Sequence, residues 1–465
     1  MDVVIAGAGP TGLMLAYELA LAGVDVTVVE RLDARIEQVK GGALQARTAE
    51  VLELRGLLGP IEARELPREP VGGHFAGLPV PLDATPWNSR HPYPISVPQW
   101  IVEEELERAA VARGARVVWG AEVTAIAQDD EGVTVTAGGT TLRAKYFVAC
   151  DGGHSTVRKL LDAPFPGRPG TFRAVLTDVR LSSVSDQVPT VLGHFSTLTK
   201  YGDEYWGMLV PVGDGKYRFT FGREGVATPD ETQTALTSLY GEETRLAEVL
   251  NSSEFGDATR QLESYRYGRI FFAGDAAHIH PPFGGQGLNL GVQDAFNLGW
   301  KLAAAVHGAA DLLDTYQAER HPPAARVLRH TAAQRVLALP GAGEDIGDLR
   351  ELVTDLVRLP DANRYLAGMM SGLDAPGRIP DLELVAEDGP TWLSELLHSG
   401  RGLLLDFGDR DWPDGWADRV DVVRVKPDGE HEALLIRPDG LVCWSGEGSV
   451  VDALTQWFGD TRVSR

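Results

Sequence analysis

Residues 3–12 read VVIAGAGPTG, and this stretch decides the fold of the chain. The apolar run at residues 3–6 predicts a short parallel strand that is buried on both faces. Residues 11–22 predict a helix that ends at Gly23. The β-branched run at residues 26–29 predicts a second strand. The first thirty residues therefore form one βαβ unit with a right-handed crossover.

The turn between the first strand and the helix carries a glycine fingerprint made of Gly7, Gly9 and Gly12. Gly7 permits a tight turn, Gly9 lets the backbone approach a pyrophosphate, and Gly12 lets the helix pack closely on the strand. The N-terminus of that helix attracts phosphate charge. Glu30 ends the second strand, where a carboxylate accepts hydrogen bonds from ribose hydroxyls. The pattern predicts a dinucleotide site that takes an unphosphorylated ribose, as in FAD or NAD.

A second fingerprint is expected in proteins that hold FAD and a nicotinamide in two separate Rossmann domains. The nearest candidate is residues 341–347. Its spacing is different, it follows no clear strand, and it places two acids where the phosphates would lie. We predict a loop there.

The composition limits the class of protein and its partners. The 465 residues predict two or three domains, and 43 basic against 66 acidic side chains give a formal net charge of −23. A surface with this much negative charge repels phosphate backbones and anionic lipids. We therefore expect no nucleic-acid and no membrane partner. The two cysteines, Cys150 and Cys443, fit neither a disulfide framework nor a metal site. Since no signal peptide or spanning segment is visible, we expect a soluble cytoplasmic protein.

The pattern of a buried strand returns at residues 146–149 and 270–273, and a long helix with an apolar face follows the second. Between them, residues 173–222 alternate and are rich in aromatics, which predicts an antiparallel sheet. Near the C-terminus, a hairpin that turns at residues 437–440 is followed by a helix at residues 450–458. An α/β layer is therefore interrupted by a β-rich insert and followed by an appended segment.

Further polar segments follow the buried strands. Asp275 lies at the end of the strand 270–273, where a carboxylate can bind sugar or ribityl hydroxyls. The loop at residues 281–289 is rich in proline and glycine, so its backbone N–H groups can approach a planar ring closely. The N-terminus of the next helix favours negative charge on such a ring. Residues 151–158 also follow a strand, and a tight turn with an aspartate cap is a credible interpretation there.

With these three segments in order, the chain resembles the flavin-dependent aromatic hydroxylases of the para-hydroxybenzoate hydroxylase type. Within this family it is most similar to the actinobacterial aromatic-polyketide hydroxylases and rifampicin monooxygenases. The resemblance covers nearly the whole chain. The matching segments are residues 7–12, 30–31, 46–48, 97–99, 151–158, 274–289 and 316–322.

The resemblance implies an α/β fold, in which a Rossmann-like FAD-binding domain carries an inserted antiparallel substrate domain and a C-terminal thioredoxin-like domain. The implied boundaries are residues 1–72, 97–164 and 265–375 for the three parts of the FAD-binding domain, 73–96 for a loop on the substrate side, 165–264 for the substrate domain and 376–465 for the thioredoxin-like domain. The segment at residues 376–465 contains a single cysteine, Cys443, and no CxxC motif, so we expect it to be redox-inert.

The resemblance also implies which residues bind the cofactor. We expect FAD to be held by Gly7, Gly9, Pro10, Thr11, Gly12, Glu30, Arg31, Arg47, Gln99, Asp275, Gly287, Leu288 and Asn289. Pro281, Gly284 and Gly285 are expected to wall the site of oxygen activation. No side-chain acid or base is obligatory, because the cofactor carries the chemistry. We expect no metal.

The implied reaction is hydroxylation of an aromatic polyketide-type substrate. NADPH or NADH reduces the flavin, O₂ adds at its C4a atom, and the hydroperoxide delivers one oxygen atom to an electron-rich ring. The residues expected to contact the substrate are Phe75, Trp206, Phe219, Phe221 and Pro282. The alternatives left open are a monooxygenase that inactivates a rifamycin or a tetracycline, and a non-catalytic FAD-binding partner protein. Baeyer–Villiger insertion and the choice between monomer and homodimer are also left open.

Overall fold

The computed structural model describes residues 1–37, 41–69, 71–222, 227–338 and 343–461. Up to residue 160 the chain forms β1 (Val3–Ala6), α1 (Pro10–Leu21), β2 (Val26–Val29), α2 (Ala46–Glu53), α3 (Leu58–Glu62), α4 (Gln99–Ala112), β3 (Arg116–Val118), β4 (Val123–Gln128), β5 (Val133–Ala137), β6 (Thr140–Ala144), β7 (Tyr146–Ala149) and α5 (Thr156–Leu160). It continues with β8 (Gly167–Arg168), β9 (Arg173–Ser183), α6 (Phe195–Leu198), β10 (Thr199–Tyr201), β11 (Trp206–Pro211), β12 (Lys216–Gly222), α7 (Pro229–Tyr240), β13 (Arg245–Gly256) and β14 (Thr259–Gln261).

The second half of the chain returns to the α/β layer and then adds a C-terminal segment. The return forms β15 (Arg266–Tyr267), β16 (Ile270–Phe272), β17 (His278–Ile279), α8 (Gln286–Val306), α9 (Leu313–Ala338), α10 (Glu344–Val357) and α11 (Pro360–Ser371). The C-terminal segment forms β18 (Glu383–Ala386), β19 (Gly389–Trp392), α12 (Leu393–Leu396), β20 (Gly402–Asp406), β21 (Val420–Arg424), β22 (Ala433–Ile436), β23 (Val442–Trp444) and α13 (Val450–Phe458).

The central sheet has the strand order β15-β16-β7-β1-β2-β3. All of its strands are parallel except β15, which is antiparallel to β16. In the middle strand, Ile5 pairs with Val28 on one side and with Val148 on the other, and none of the three has any exposed surface. Burial on both faces explains why these strands are uninterrupted apolar runs in the sequence. The carboxyl ends of β1, β2 and β7 meet at one edge, where parallel sheets of this kind bind ligands.

Helix α1 packs against α8 on one face of this sheet. The two helices are so close that a Cβ at Gly299 of α8 would lie 2.4 Å from the Cβ of Glu18. Glu18 is itself buried and receives two hydrogen bonds from Arg55, at 2.8 and 3.0 Å. Burial raises the pKa of Glu18, and the guanidinium of Arg55 opposes that effect. The α1–α8 contact therefore contains a buried ion pair.

The β-rich insert is an antiparallel sheet of strand order β10-β11-β12-β9-β13. It extends beyond the predicted residues 173–222, because β13 returns to pair along almost the whole of β9. Helix α7 covers one face of the sheet, and the core between them holds Phe219, Phe221 and Tyr240.

The C-terminal segment is built on a sheet of strand order β21-β20-β22-β23. β20 and β21 are parallel, whereas β22 is antiparallel to both β20 and β23. The predicted hairpin is formed by β22 and β23, and Gly440 takes φ = +73° in its turn. Helix α13 matches the predicted helix at residues 450–458.

Two local predictions differ from the structure. Residues 344–347, predicted as a loop, are the first turn of α10, and Gly343 precedes it with φ = +86°. Gly341 and Ala342 lie outside the described residues. Pro322 and Pro323 predict a bend or an end of the helix around them. Helix α9 (Leu313–Ala338) continues past both prolines, so the helix does not end there. Buried side chains on both sides of the prolines hold this helix against the core. No helix in the described ranges is both long and apolar enough to cross a membrane.

Replacement of Glu18 by alanine is expected to lower the free energy of unfolding by about 3–5 kcal/mol, because Arg55 would be left as a buried charge without a counter-charge. Arg358→Ala is the control, since it breaks the exposed pair with Asp355 and should cost only about 0–1 kcal/mol. Chemical denaturation followed by tryptophan fluorescence measures both losses. Equal losses in the two variants would contradict the assignment of Glu18–Arg55 as a buried pair.

Candidate functional site

The glycine loop between β1 and α1 has room for a bound group at Gly9. A Cβ at Gly7, where φ is +103°, would lie 2.3 Å from the carbonyl oxygen of Cys150. A Cβ at Gly12 would lie 2.0 Å from the carbonyl oxygen of Gly7. A Cβ at Gly9 would meet no atom of the described chain within 4 Å. The fold therefore requires Gly7 and Gly12, whereas Gly9 borders open space at the N-terminus of α1.

Glu30 lies at the end of β2, beside the glycine loop. Its Oε2 accepts a hydrogen bond from the backbone N–H of Ala8 at 2.8 Å, and its Oε1 accepts one from Leu32 at 3.0 Å. These bonds fix the carboxylate and leave lone pairs for hydroxyl groups. The structure brings Glu30 to the loop as the motif implies, while Arg31 follows with an exposed side chain.

Thr11 joins the loop to two segments that lie far along the chain. A Cβ at Gly274 would lie 2.6 Å from Thr11 Oγ1, and a Cβ at Gly291 would lie 2.3 Å from the same atom. Pro10 occupies the first turn of α1, where its missing N–H is not needed. Thr11 occupies the space that a side chain at Gly274 or at Gly291 would need, so both glycines lie directly against α1.

Asp275 lies in a 3₁₀ turn, Gly274–Ala276, that follows β16, and its side chain is exposed. Asp294 on α8 fixes this turn, since its Oδ2 accepts from the N–H of Gly274 at 3.2 Å and lies 2.7 Å from His278 Nε2. The other oxygen of Asp294 accepts from Arg320 Nε at 2.8 Å. Burial alone would raise the pKa of Asp294, but Arg320 and His278 outweigh it and hold the pKa below its ordinary value. The buried carboxylate of Asp294 therefore holds the turn in which Asp275 lies.

The loop before α8 is held in shape by Gln45 and Asn289. Gly284 and Gly285 take φ values of +74° and +62°. Gln45 Nε2 donates to the carbonyl oxygen of Gly284 at 2.8 Å, and the backbone N–H of Gln45 donates to Asn289 Oδ1 at 2.7 Å. Asn289 Nδ2 donates to the carbonyl oxygen of Gly285 at 2.7 Å. Asn289 therefore braces the loop, and Gln45, which the sequence analysis missed, ties the loop to the start of α2.

Leu288 and Gln99 approach each other at Gly41. A Cβ at Gly41 would lie 3.2 Å from both Gln99 Oε1 and Leu288 Cδ1. The backbone N–H of Gln99 donates to the carbonyl oxygen of Gly41 at 3.0 Å. On the other side, a Cβ at Gly287 would lie 3.6 Å from Asp275 Oδ1. The structure thus brings Gln99, Asp275, Gly287 and Leu288 to one region, as the resemblance implies.

Two histidines lie beside the loop, and His278 is fully buried whereas His280 is half-buried. His278 Nε2 lies 2.7 Å from Asp294 Oδ2, and His280 Nδ1 lies 2.8 Å from the carbonyl oxygen of Pro281. Burial lowers the pKa of His280. Among the described residues, the other ring nitrogen of each histidine, His278 Nδ1 and His280 Nε2, is buried and has no hydrogen-bond partner.

The side chain of Arg47 makes its hydrogen bonds to α2 and to the C-terminal segment. Its side chain is buried, Nη1 donates to Glu50 Oε2 at 3.1 Å, and Nη2 donates to the carbonyl oxygen of Asp439 at 3.1 Å. The cofactor contact that the resemblance implies for Arg47 stays a prediction. A buried guanidinium must satisfy its donors locally, and here the acceptors belong to α2 and to the C-terminal segment.

Residues 151–158 form the turn that the sequence allows. Asp151 Oδ2 accepts from the backbone N–H of Val157 at 3.1 Å, which caps α5. Arg158 donates to the carbonyl oxygen of Gly153 at 2.6 Å and to that of Ala276 at 3.0 Å. This segment therefore supports the Asp275 turn from the side.

Two of the aromatic residues expected at a substrate pocket are core residues. Phe219 and Phe221 have no exposed surface, and their rings stack 4.6 Å apart under α7. They face the core because both lie on the face of β12 that α7 covers. Trp206 is half-buried beside Phe172, with ring centroids 5.6 Å apart. Pro282 is exposed in the loop before α8.

Phe75 lies in a separate apolar cluster that includes Leu82 and Met370. Its segment is tied to α9, because the N–H of Ala76 donates to Gln334 Oε1 at 3.0 Å. It is tied to the insert by His74, whose ring stacks on Phe195 at 4.2 Å. This loop therefore bridges the insert and the α/β layer.

A small cavity opens between this loop and the start of α2. Its walls include Gln45, Tyr93 and Met370. Gln45 is the residue whose side chain binds the carbonyl of Gly284, and a Cβ at Gly284 would lie 2.1 Å from Met370 Cε. The cavity therefore lies directly beside the glycine-rich loop.

These residues fit FAD. The open space at Gly9 gives a pyrophosphate access to the N-terminus of α1, and the carboxylates of Glu30 and Asp275 are placed for ribose and ribityl hydroxyls. The glycine-rich loop and the N-terminus of α8 offer backbone N–H groups to a flat ring. The described residues contain no group of three or more His, Cys, Asp or Glu side chains that could hold a metal.

Known proteins match the chain over its whole length. Residues 1–331 match the family described as FAD binding domain, and residues 375–461 match the family described as aromatic-ring hydroxylase, C-terminal. The 12-dehydrotetracycline 5-monooxygenase/anhydrotetracycline 6-monooxygenase of Streptomyces rimosus is 43% identical, with 98% of this chain and 99% of the relative covered. A rifampicin monooxygenase of Streptomyces venezuelae is also 43% identical, with 98% of each chain covered. The solved structure of the OxyS anhydrotetracycline hydroxylase from Streptomyces rimosus matches with a TM-score of 0.90, at 43% identity and 99% coverage of both chains.

Gly9→Ala is expected to weaken FAD binding, whereas Gly12→Ala is expected to lower the stability of the fold. The methyl group at Gly9 would enter ligand space, so FAD binding should weaken about tenfold or more, while the FAD-free protein keeps its stability within ~0.5 kcal/mol. The methyl group at Gly12 would overpack α1 against the loop and should cost about 1–3 kcal/mol of stability. Flavin fluorescence titration and thermal unfolding without FAD measure the two effects. A loss of stability in Gly9→Ala would contradict the open space at that position.

Acidification is expected to destabilise the loop at His74. Burial lowers the pKa of His74 to about 4, with a further contribution from His194, whereas the imidazole of the unfolded chain titrates near its ordinary pKa of 6.5. The unfolded chain therefore binds the proton first, and stability should fall as the pH drops from 6.5 towards 4. The His74→Gln variant should lose less stability over that pH range. Thermal unfolding measures the difference, since each kcal/mol of stability corresponds to about 2–4 °C in Tm. His154→Gln, at an exposed histidine, is the control and should follow the wild-type protein.

Proposed function

Because the chain belongs to the FAD-dependent aromatic-ring hydroxylases and is a flavin-dependent aromatic monooxygenase, we propose that its substrate is a polycyclic aromatic polyketide. The substrate class follows from relatives that are named for anhydrotetracycline and rifampicin. NADPH or NADH serves as the electron donor, and O₂ supplies the oxygen atom that enters the product.

The observation that carries this proposal is the cavity beside the glycine-rich loop. Gln45 lines the cavity and at the same time binds the carbonyl oxygen of Gly284, so a ring in the cavity would reach the edge of the flavin site. We propose that the reacting ring enters here, with the rest of the molecule towards the insert.

The chemistry of the walls suits a flat, largely apolar ligand. Among the described residues, those that line the cavity carry no charge: Gln45, Ala46, Gly73, Leu82, Ala84, Pro92, Tyr93, Pro94, Ala367, Met370 and Ser371. The guanidinium of Arg68 lies 4.5 Å from the ring centroid of Tyr93, which fixes that ring as one wall. Apolar walls with few polar groups are typical of pockets that take aromatic ligands.

FAD, when bound, supplies the electron transfer and the activation of O₂. In this proposal Gly9 admits the pyrophosphate, and Glu30 and Asp275 bind the hydroxyls. The N-terminus of α8, with Gly285 at its N-cap, stabilises negative charge on the ring. Pro281 is buried behind the loop and helps to keep water from the reacting atoms.

A second candidate within the same chemistry is inactivation of an antibiotic. The relative named rifampicin monooxygenase is as similar to this chain, at 43% identity, as the tetracycline-pathway relative. Rate measurements with both ligand classes separate the two. A non-catalytic FAD-binding role would leave ring compounds unchanged while the flavin is reduced and reoxidised.

We also propose the domain division implied by the resemblance, with the insert at residues 165–264 as the substrate domain. For the C-terminal segment we propose a thioredoxin-like fold. A parallel β20–β21 pair followed by the antiparallel β22 and β23 and then α13 supports it. Cys443 is half-buried, and burial raises the pKa of its thiol to about 12, which supports a redox-inert segment.

Tyr93→Ala is expected to raise the KM for the aromatic substrate about tenfold, equivalent to ~1.4 kcal/mol, because it removes one wall of the cavity. Tyr93→Phe keeps the ring and is the matched control, so its KM should stay close to that of the wild-type enzyme. The flavin absorption spectrum reports whether the cofactor site is intact in both variants. Equal KM values in Tyr93→Ala and Tyr93→Phe would place the substrate elsewhere.

The proposed activity is tested by NADPH and NADH oxidation with a panel of aromatic polyketides, tetracyclines and rifamycins. We expect one class to accelerate oxidation and to gain one oxygen atom by mass spectrometry. Acceleration by a rifamycin or a tetracycline alone would favour antibiotic inactivation. Indifference to every ring compound in a protein with bound FAD would contradict both assignments.

A further inference from the structure

The turn at the tip of the C-terminal hairpin, residues 437–440, is buried against the FAD-binding part of the chain; we refer to it as the docking turn. Arg437 and Asp439 are 4% and 3% exposed. Gly440 takes φ = +73°, and a Cβ there would lie 2.6 Å from Leu54 Cδ1. The docking turn therefore lies directly against the end of α2.

Two buried arginines of the FAD-binding part bind the main-chain carbonyls of the docking turn. Arg55 Nη2 donates to the carbonyl oxygen of Pro438 at 2.9 Å, and Arg47 Nη2 donates to that of Asp439 at 3.1 Å. The charges of these arginines are already balanced by carboxylates of α1 and α2. Their remaining N–H groups still need acceptors in a buried environment, and the docking turn supplies them.

The carboxylate of Asp439 extends the contact to α8 and α9. Its Oδ2 accepts from Asn297 Nδ2 at 3.0 Å, and its Oδ1 accepts from Arg437 Nε at 2.9 Å. Arg437 in turn donates to both carboxylate oxygens of Glu319, at 2.9 and 2.6 Å. Burial alone would raise the pKa of Asp439, but Arg437 outweighs it and holds the pKa at about 2. The docking turn therefore meets α8 and α9 through charged groups that are ionised at neutral pH.

Two of the helices that the docking turn contacts, α2 and α8, begin at the flavin loop. α2 begins directly after Gln45, and Asn289 lies in the first turn of α8. Asn297 follows eight residues later, which is ~12 Å along the helix. Between these points Thr48 Oγ1 lies 3.4 Å from the carbonyl oxygen of Asn289 and 3.3 Å from Gln293 Nε2. A continuous set of contacts therefore runs from the docking turn to Gln45 and the loop.

We propose that the docking turn is a positioning element for the flavin. It clamps α2 against α8, and so it fixes the spacing at which Gln45 holds the carbonyl of Gly284. FAD affinity and the surroundings of the flavin ring then depend on Asp439 and Arg47 through these helices. The inference rests on FAD binding and not on the substrate proposed above, so its test needs no substrate.

The test compares Asp439→Asn with Asp406→Asn in the full-length holoenzyme. Asp406 is also buried in the C-terminal segment, but it accepts from the N–H groups of Gly408 and Arg410 within that segment. Both substitutions remove one buried carboxylate charge from the same sheet. Only Asp439 contacts α8. Tm, the FAD dissociation constant and the flavin absorption spectrum are measured for each variant.

We expect Asp439→Asn to weaken FAD binding roughly 2- to 30-fold and to shift the flavin spectrum, while Asp406→Asn lowers Tm without either change. Equal FAD affinity in the two variants, or losses that follow Tm in both, would overturn the proposal. If Asp439→Asn does not fold, Asn297→Ala replaces it, because Asn297 Nδ2 donates to Asp439 at 3.0 Å from α8. Its control is Asn363→Ala, whose side chain donates to the carbonyl oxygens of Pro81 and Val357 instead of the docking turn. Weaker FAD binding in Asn297→Ala alone supports the proposal, and the same change in both overturns it.

Discussion

The close approach of α1 to α8 is the contact on which the site depends. At Gly291 and Gly299, α8 has no room for a side chain, because Thr11 and Glu18 of α1 occupy that space. The approach places the glycine loop of the first strand beside the loop that precedes α8, although the two are more than 260 residues apart. The same close packing buries Glu18 and makes Arg55 its obligatory partner.

Buried ion pairs hold the parts of this assembly in fixed positions. Asp294, with Arg320 and His278, holds the turn that carries Asp275. Arg437 and Glu319 join α9 to the C-terminal segment. Each of these buried charges has a counter-charge and further hydrogen bonds, without which its burial would be costly. The turn that carries Asp275 is thus held by charged groups on α8 and α9.

The sequence predicted the parts of the fold that depend on local pattern. The glycine fingerprint and Glu30 lie where the motif places them, because strand, turn and helix are neighbours in the chain. Residues 344–347 show the limit of that reasoning, because a helix start without a polar cap resembles a loop. Phe219 and Phe221 could not be assigned to a face before the position of α7 was known.

Gln45 and Asp294 carried no signal of their own in the sequence, and Arg320 entered only as part of the matching segment at residues 316–322. Each is an ordinary polar residue whose partners lie on other elements: Gly284 for Gln45, and the two helices α8 and α9 for the other pair. Motif spacing reports only the residues that a motif contains. Residues that support a site from a second element become visible only when the elements are packed.

The acceptors that Arg47 and Arg55 use on the C-terminal segment are main-chain carbonyls, which every amino acid carries. The surface of that segment can therefore change in sequence while its attachment stays the same, provided that the turn and Asp439 are kept. Attachment of this kind makes the segment exchangeable. A C-terminal segment from another member of the family that keeps this turn and Asp439 would offer the same main-chain carbonyls to Arg47 and Arg55.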